Sequence, residues 1–129
     1  MSFKDQFKVL IVDDHRTSRM IVLDALQQLG IKQLMYAEDG EAALKMMMTK
    51  PAHLIISDFN MPKLNGLQLL KAIRSYKPTN KTPFIILSGR GDQELVRQAI
   101  ALGVNNFLPK PITVPVLRKS IEAIVGRIQ

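Results

Sequence analysis

Residues 54–66 read LIISDFNMPKLNG. Leu54, Ile55 and Ile56 run straight into Ser57 and Asp58, and the chain then breaks at Met61, Pro62, Asn65 and Gly66. An aliphatic run this short, closed by turn residues, predicts a strand buried on both faces, as in a parallel sheet covered by helices. Its last residue is a carboxylate, and an unpaired charge is costly to bury. A strand that leaves the core on such a group implies that something at its end needs the charge.

Four further segments repeat the pattern. KVLIVDD (8–14) is a strand that stops at two carboxylates, QLMYAE (33–38) a second, FIILS (84–88) a fourth, and NNFLPKP (105–111) holds a fifth. Helices follow each. Val22, Ala25, Leu26 and Leu29 fall at helical spacing between Thr17 and Leu29, with Gly30 as the stop. An Ala- and Met-rich helix follows Asp39 and Gly40 to Thr49, and GLQLLKAIRSY (66–76) sets Leu69, Leu70 and Ile73 on one side. Asp92 caps a fourth helix with inner face Leu95, Val96, Ala99 and Ile100, and Val114 to Val125 forms a fifth, with Leu117, Ile121, Ile124 and Ile128 in phase. Alternating strand and helix with short loops predicts an α/β fold, a doubly wound five-stranded parallel sheet.

The bulk properties narrow the function. At 129 residues, without a linker or change of composition, residues 1–129 are expected to form one domain. No apolar run approaches the roughly 18 residues of a membrane span, and MSFKDQFK is too polar for a secretion signal, so the cytoplasm is the expected location. The chain has no cysteine, which removes disulfides and thiolate metal sites. The net charge of +7 comes from Lys and Arg scattered singly between Lys4 and Arg127, without a basic run or nucleic-acid-binding motif. A solvated basic surface is expected, and no nucleic acid partner.

In open parallel sheets ligands gather outside the carboxyl ends of the strands. There the first strand supplies Asp13 and Asp14, the third Asp58, the fourth Ser88, and the fifth leads into Lys110. Two carboxylates about 4 Å apart repel by roughly 4 kcal/mol at an effective dielectric of about 20, so such a cluster calls for a cation. With all-oxygen ligands a hard ion that keeps several waters suits it, Mg²⁺ foremost. Carboxylates, Mg²⁺ and a lysine make a site for phosphoryl transfer, and a carboxylate can itself accept the phosphoryl group. Asp58 at a strand end would be held rigidly beside the ion yet open to a donor, and the FNMPKLNG loop bends so that a main-chain carbonyl can join the coordination.

VLIVDD, LIISDFNMPKLNG, IILSG and LPKP, in that order over roughly residues 7 to 126, resemble the receiver domain of two-component response regulators, and most closely its stand-alone chemotaxis (CheY-like) members. The resemblance implies a flavodoxin-like fold with strand order 2-1-3-4-5. It implies that Asp58 is the phosphoacceptor, that Asp14 and Asp58 bind Mg²⁺ by side chain, Asn60 by its backbone carbonyl and Asp13 largely through water. Ser88 would hydrogen-bond the phosphoryl group, and Lys110, oriented by a cis bond to Pro111, would pair with it.

On activation Ser88 would move inward and Phe107 would swing in behind it. Chemotaxis members often carry Tyr at that position; Phe107 can fill the pocket but cannot donate a hydrogen bond. Asn60 and Arg90, two positions beyond Asp58 and Ser88, sit where family members tune hydrolysis of the acyl phosphate. The implied partners are a histidine kinase of the CheA type and a target such as the flagellar motor switch, bound on the face of the fourth helix, fifth strand and fifth helix, with the protein a monomer. Output to a motor and a phosphate sink without a target both remain open.

Plainer readings apply elsewhere. Met46, Met47 and Met48 read as partly core and partly exposed helix, His15 as a solvated loop residue and His53 as ordinary. A metal-dependent phosphatase with an Asp nucleophile needs D-x-D-x-[TV] at a strand end, which neither DDHRT nor SDFNM supplies. A flavin on the same fold is disfavoured by the acids, which would repel its phosphate. The chain thus reads as a phosphoacceptor signalling protein with self-catalysed phosphorylation and dephosphorylation, not an enzyme acting on a separate substrate.

Overall fold

Strands form where the sequence runs aliphatic and β-branched, and helices where its apolar period lengthens. The computed structural model describes residues 3–89 and 93–126. Along the chain lie α1 (Phe3–Gln6), β1 (Lys8–Val12), α2 (Arg16–Gln28), β2 (Gln33–Ala37), α3 (Gly40–Thr49), β3 (Leu54–Asp58), α4 (Gly66–Ser75), a short 3-10 turn (Lys77–Thr79), β4 (Phe84–Ser88), α5 (Gln93–Ala101), β5 (Asn106–Pro109) and α6 (Val114–Val125). The sheet is parallel throughout, in the order β2-β1-β3-β4-β5. This is the doubly wound parallel α/β sheet expected from the strand pattern, in the flavodoxin-like order that the family resemblance implies.

Side-chain alternation along each strand divides the core in two. Val9, Ile11, Leu54, Ile56, Ile85, Leu87 and Leu108 point to one face, where Val22, Ala25, Leu26 and Leu29 of α2 and its following turn meet Leu117 and Ile121 of α6. Leu10, Val12, Ile55, Phe84 and Ile86 point to the other, against Ala43 and Met47 of α3, Leu69, Leu70 and Ile73 of α4, and Ala99 of α5. The central strands are therefore enclosed on both sides, and β3 and β4 are buried along their whole length. Burial of roughly 1.5–3 kcal/mol per large aliphatic side chain is what locks the strand ends in place.

Four details depart from or sharpen the expected layout. The helix α1 has no counterpart in the apolar pattern; its Phe3 ring stacks on Phe7 at 4.7 Å, and Phe7 on His53 at 5.8 Å. Because of it, the fourth and fifth expected helices are α5 and α6. Ile100, expected on the inner face of α5, is 64% exposed, since Ala99 is the residue that meets the core. Met47 is buried while Met48 is exposed, as the mixed reading of that run requires. The expected helix cap Asp92 and the last in-phase residue Ile128 lie outside the described residues.

The turn after β3 is built around one glycine. The Gly66 N–H donates to the Phe59 carbonyl at 2.8 Å, and Asn65 and Gln68 close a reciprocal capping box on α4. A Cβ on Gly66 would lie 2.9 Å from the Asp58 carbonyl oxygen and 3.1 Å from the Phe59 Cα, both backbone atoms that cannot swing away. Gly66→Ala is expected to destabilise the fold by about 1–3 kcal/mol in urea unfolding, as overpacking does. Gly89→Ala, with nothing within 4 Å of the added carbon, is the control and should stay within about 0.5 kcal/mol.

Candidate functional site

The strand register brings the polar ends together. Val12 lies opposite Ser57, so Asp13 and Asp58, one step further on, are neighbours at the carboxyl edge of the sheet. On the other side of β3, Asp58 faces Leu87 and the Phe59 N–H donates to the Leu87 carbonyl at 2.9 Å. Ser88 ends β4, and the Lys110 N–H donates to the Ser88 carbonyl at 3.0 Å, just before a cis peptide to Pro111.

Alternation then sorts these groups. Asp13, Asp58 and Lys110 continue the rows of Ile11, Ile56 and Leu108, on the α2 and α6 face. Ser88 continues the row of Ile86, and Phe107 packs beside the same cluster on the α3, α4 and α5 face.

Lys110 Nζ is 3.0 Å from Asp58 Oδ1, 3.4 Å from Asp13 Oδ2 and 2.8 Å from Ser18 Oγ. Asp13 is 2% and Asp58 6% exposed, so two carboxylates are withdrawn from water around one ammonium. Burial pushes the Asp58 carboxyl above its usual range; Lys110 and the Phe59 N–H pull it back, Asp13 pushes it further, and burial wins. Asp14 stands at the exposed rim beside His15, and one ligand atom from each of Asp13, Asp14, His15 and Asp58 lies within 4.8 Å of all the others. Such a group fits a divalent cation, because two positive charges would offset the acid repulsion that one ammonium leaves uncompensated.

The other expected site residues are placed as follows. Asn60 is exposed in the loop after Phe59, Ser88 is buried, and Phe107 is half-buried. Arg90 lies outside the described residues. Beside Lys110 a cleft of about 430 Å³ opens between α2 and the turn after β5, lined by Ser18, Ile21, Leu87 and Pro111 among others.

Two residues escaped the sequence reading. Ser18 on α2 accepts from Lys110, as described. Arg19 is buried; its Nη1 donates to the Asp13 carbonyl at 2.9 Å, and its guanidinium lies over the Tyr36 ring at 4.5 Å and 4.0 Å from Glu38. The signal for Arg19 was in the sequence: it shares the apolar stripe of Val22 and Leu26 on α2, and an arginine in such a stripe needs acceptors inside the protein.

The profile of the family described as "Response regulator receiver domain" matches residues 9–122. A curated relative from Rhizobium etli, "Probable chemotaxis protein CheY", is 50% identical over 129 residues and the whole of both chains. "Chemotaxis protein CheY1" of Helicobacter pylori is 38% identical over 92% of this chain and 97% of its own. Among solved structures, Vibrio cholerae chemotaxis protein CheY4 superposes with a TM-score of 0.84 at 32% identity, covering 92% of this chain and 98% of that one.

The raised Asp58 carboxyl sets a sign for stability. The fold holds this proton more tightly than the unfolded chain does, so stability is greatest below the ordinary carboxylate range and falls as pH rises through the folded value. In metal-free protein Asp58→Asn should therefore have the higher urea midpoint at neutral pH, and the gap should close as pH falls toward the ordinary carboxylate range, near 3.8. Paired urea titrations in chelator across pH check both the sign and the window.

Proposed function

The chain belongs to the response regulator receiver family, and on that premise we propose that it is a chemotaxis response regulator that accepts a phosphoryl group on Asp58 from a histidine kinase. The observation that carries the reading is the contact of Asp58 with Lys110 beside a second buried acid, Asp13. In the step, an Asp58 carboxylate oxygen forms a bond to phosphorus while the bond from phosphorus to the donor breaks; a phosphohistidine donor leaves as imidazole and takes up a proton. Lys110, already 3.0 Å from the attacking carboxylate, is placed to follow the charge that passes to the phosphoryl oxygens.

Asp14 and Asp58, with Asp13 behind them and the Asn60 carbonyl beside them, would hold Mg²⁺, which when bound supplies charge neutralisation for the transferring group. Ser88 would take a phosphoryl oxygen and Phe107 would repack behind it, so that the face of α5, β5 and α6 binds a target, of which the flagellar motor switch is the first to test. Asn60 and Arg90 are the positions proposed to set how fast water removes the phosphoryl group. The reading takes residues 1–129 as one receiver unit, monomeric and cytoplasmic, and a role as a phosphate sink is the alternative within it. No helix among the described residues is long and apolar enough to cross a membrane.

Incubation with Mg²⁺ and acetyl phosphate should add one phosphoryl group to the wild type by intact mass, and none to Asp58→Asn. Equal labelling of the two would refute the assignment. Lys110→Met should slow labelling by a factor of roughly a hundred, the usual loss on removing one charge-stabilising donor. Binding of the phosphorylated and unphosphorylated forms to a motor-switch peptide and to the kinase phosphotransfer domain then separates output from sink: a sink binds the second and ignores the first.

A further inference from the structure

His15 stands on the solvent side of the acid pocket, and nothing in the phosphoryl-transfer chemistry above uses it. It occupies the N-cap position of α2, where Ser, Thr, Asp or Asn would ordinarily bond the free N–H groups, yet its side chain makes no cap hydrogen bond. The ring is turned to the acids instead. Its Nδ1 lies 3.2 Å from Asp14 Oδ1 and 3.9 Å from Asp13 Oδ1. The backbone holds it there: the His15 N–H donates to Asp13 Oδ1 at 2.9 Å, in an extended conformation at φ −96° and ψ 118°. One carboxylate thus receives both the main chain and the approach of the ring of the same residue.

These separations have the scale of a coordination sphere. Ligands about 2.1 Å from an octahedral ion stand about 3.0 Å apart along an edge and about 4.2 Å apart across it. The His15 Nδ1 to Asp14 Oδ1 separation is close to an edge, and the four ligand atoms within 4.8 Å of one another need to close only slightly to share an ion. At 72% exposure the ring stands on the solvent side of the pocket, where an ion bound by carboxylates alone would keep water. Neutral imidazole carries one N–H, and with that proton on Nε2 the Nδ1 lone pair is free for the metal.

We propose that His15 makes this pocket a mixed nitrogen and oxygen site, one that takes the borderline cations Co²⁺ and Zn²⁺, and more weakly the harder Mn²⁺, through its imidazole while still accepting Mg²⁺ on its carboxylates. The proposal rests on the reading that Asp13, Asp14 and Asp58 hold a divalent cation, and it adds a ligand and a selectivity to that reading. Imidazole suits the later first-row ions and gives little to Mg²⁺, so the affinity it adds falls on the former. Replacing His15 should therefore lower the affinity for Co²⁺ and Zn²⁺ by far more than that for Mg²⁺.

The test is calorimetric titration of untagged, chelator-stripped protein with Mg²⁺, Mn²⁺, Co²⁺ and Zn²⁺, for wild type, His15→Phe and His15→Gln. Wild type should bind Co²⁺ and Zn²⁺ at least roughly tenfold more tightly than either variant, with Mg²⁺ affinity alike within about twofold in all three. Pulsed electron paramagnetic resonance of the Mn²⁺ complex reads the bond directly: nitrogen modulation in wild type, none in His15→Phe. His53, at the far end of β3, is unchanged in both variants and cannot account for a difference. Absence of the nitrogen signal in wild type, or equal Co²⁺ and Zn²⁺ affinities across the three proteins, overturns the proposal while leaving the Mg²⁺ site standing. Failure of wild type to bind any of the four ions overturns the proposal and the acid-held cation together.

Discussion

The ammonium of Lys110 lies between two carboxylates that the sheet has taken out of water, 3.0 Å from Asp58 and 3.4 Å from Asp13. Strand register makes these acids neighbours, and the apolar cores on either face keep the register from slipping, since a one-residue shift would turn every buried side chain to the wrong face. The pair is therefore imposed by packing elsewhere in the molecule, and its electrostatics are not at an optimum of their own. Burial outweighs Lys110 at Asp58, which leaves the metal-free site short of positive charge. A pocket in that condition gains from any partner that brings cations to it, and tolerates the loss of negative charge better than a surface acid would.

The surroundings of the pair are correspondingly stiff. Gly66 folds back so tightly that there is no room for a methyl group against the backbone of Asp58 and Phe59, and the Asn65 and Gln68 box fastens that turn to α4. On the other side Arg19 holds the Asp13 carbonyl with a guanidinium itself flattened over Tyr36. The Asp13 and Asp58 main chains are thus held on both sides of the pocket, while Asp13 Oδ1 accepts the His15 N–H and Lys110 lies against both carboxylates. Anchoring the backbone in this way fixes where the two carboxylates stand.

Much of this was legible in the sequence, because it depends on period and punctuation. Short aliphatic runs ending on Asp13, Asp58, Ser88 and the approach to Lys110 fix the strands, and parallel connection fixes which edge those residues share. Arg19 is legible too, as a charge in the stripe of Val22 and Leu26. Ser18 is not, since an isolated serine in the first turn of a helix is ordinary until a lysine 92 residues away is seen beside it. The misplacement of Ile100 has a physical cause: Leu95 and Ala99 form one i, i+4 stripe, Val96 and Ile100 another, and only the packing of α5 on the sheet chooses between them. The helix α1 sets Phe3 on Phe7 at i, i+4, a pair too short to stand out as a periodic pattern, and the stacking of Phe7 on His53 is a tertiary contact that no local pattern encodes.

The alternation of the strands also constrains how a change at Asp58 could reach a partner. Asp58 and Lys110 belong to the α2 and α6 side of the sheet, whereas Ser88 and Phe107 belong to the α5 side. A direct path through the core would have to cross the sheet, but the strand ends offer a shorter one. The Phe59 N–H meets the Leu87 carbonyl and the Lys110 N–H meets the Ser88 carbonyl, so displacement of either Asp58 or Lys110 pulls on the last two residues of β4. Phe107 packs on the same side as Ser88 and has no hydroxyl to offer, so a change at Ser88 would reach it only as a change of volume. The helices flanking β5 carry one large exposed aliphatic residue each, Ile100 on α5 and Val116 on α6. Ile100, out of place as a core residue, leaves its side chain on the outer side of α5.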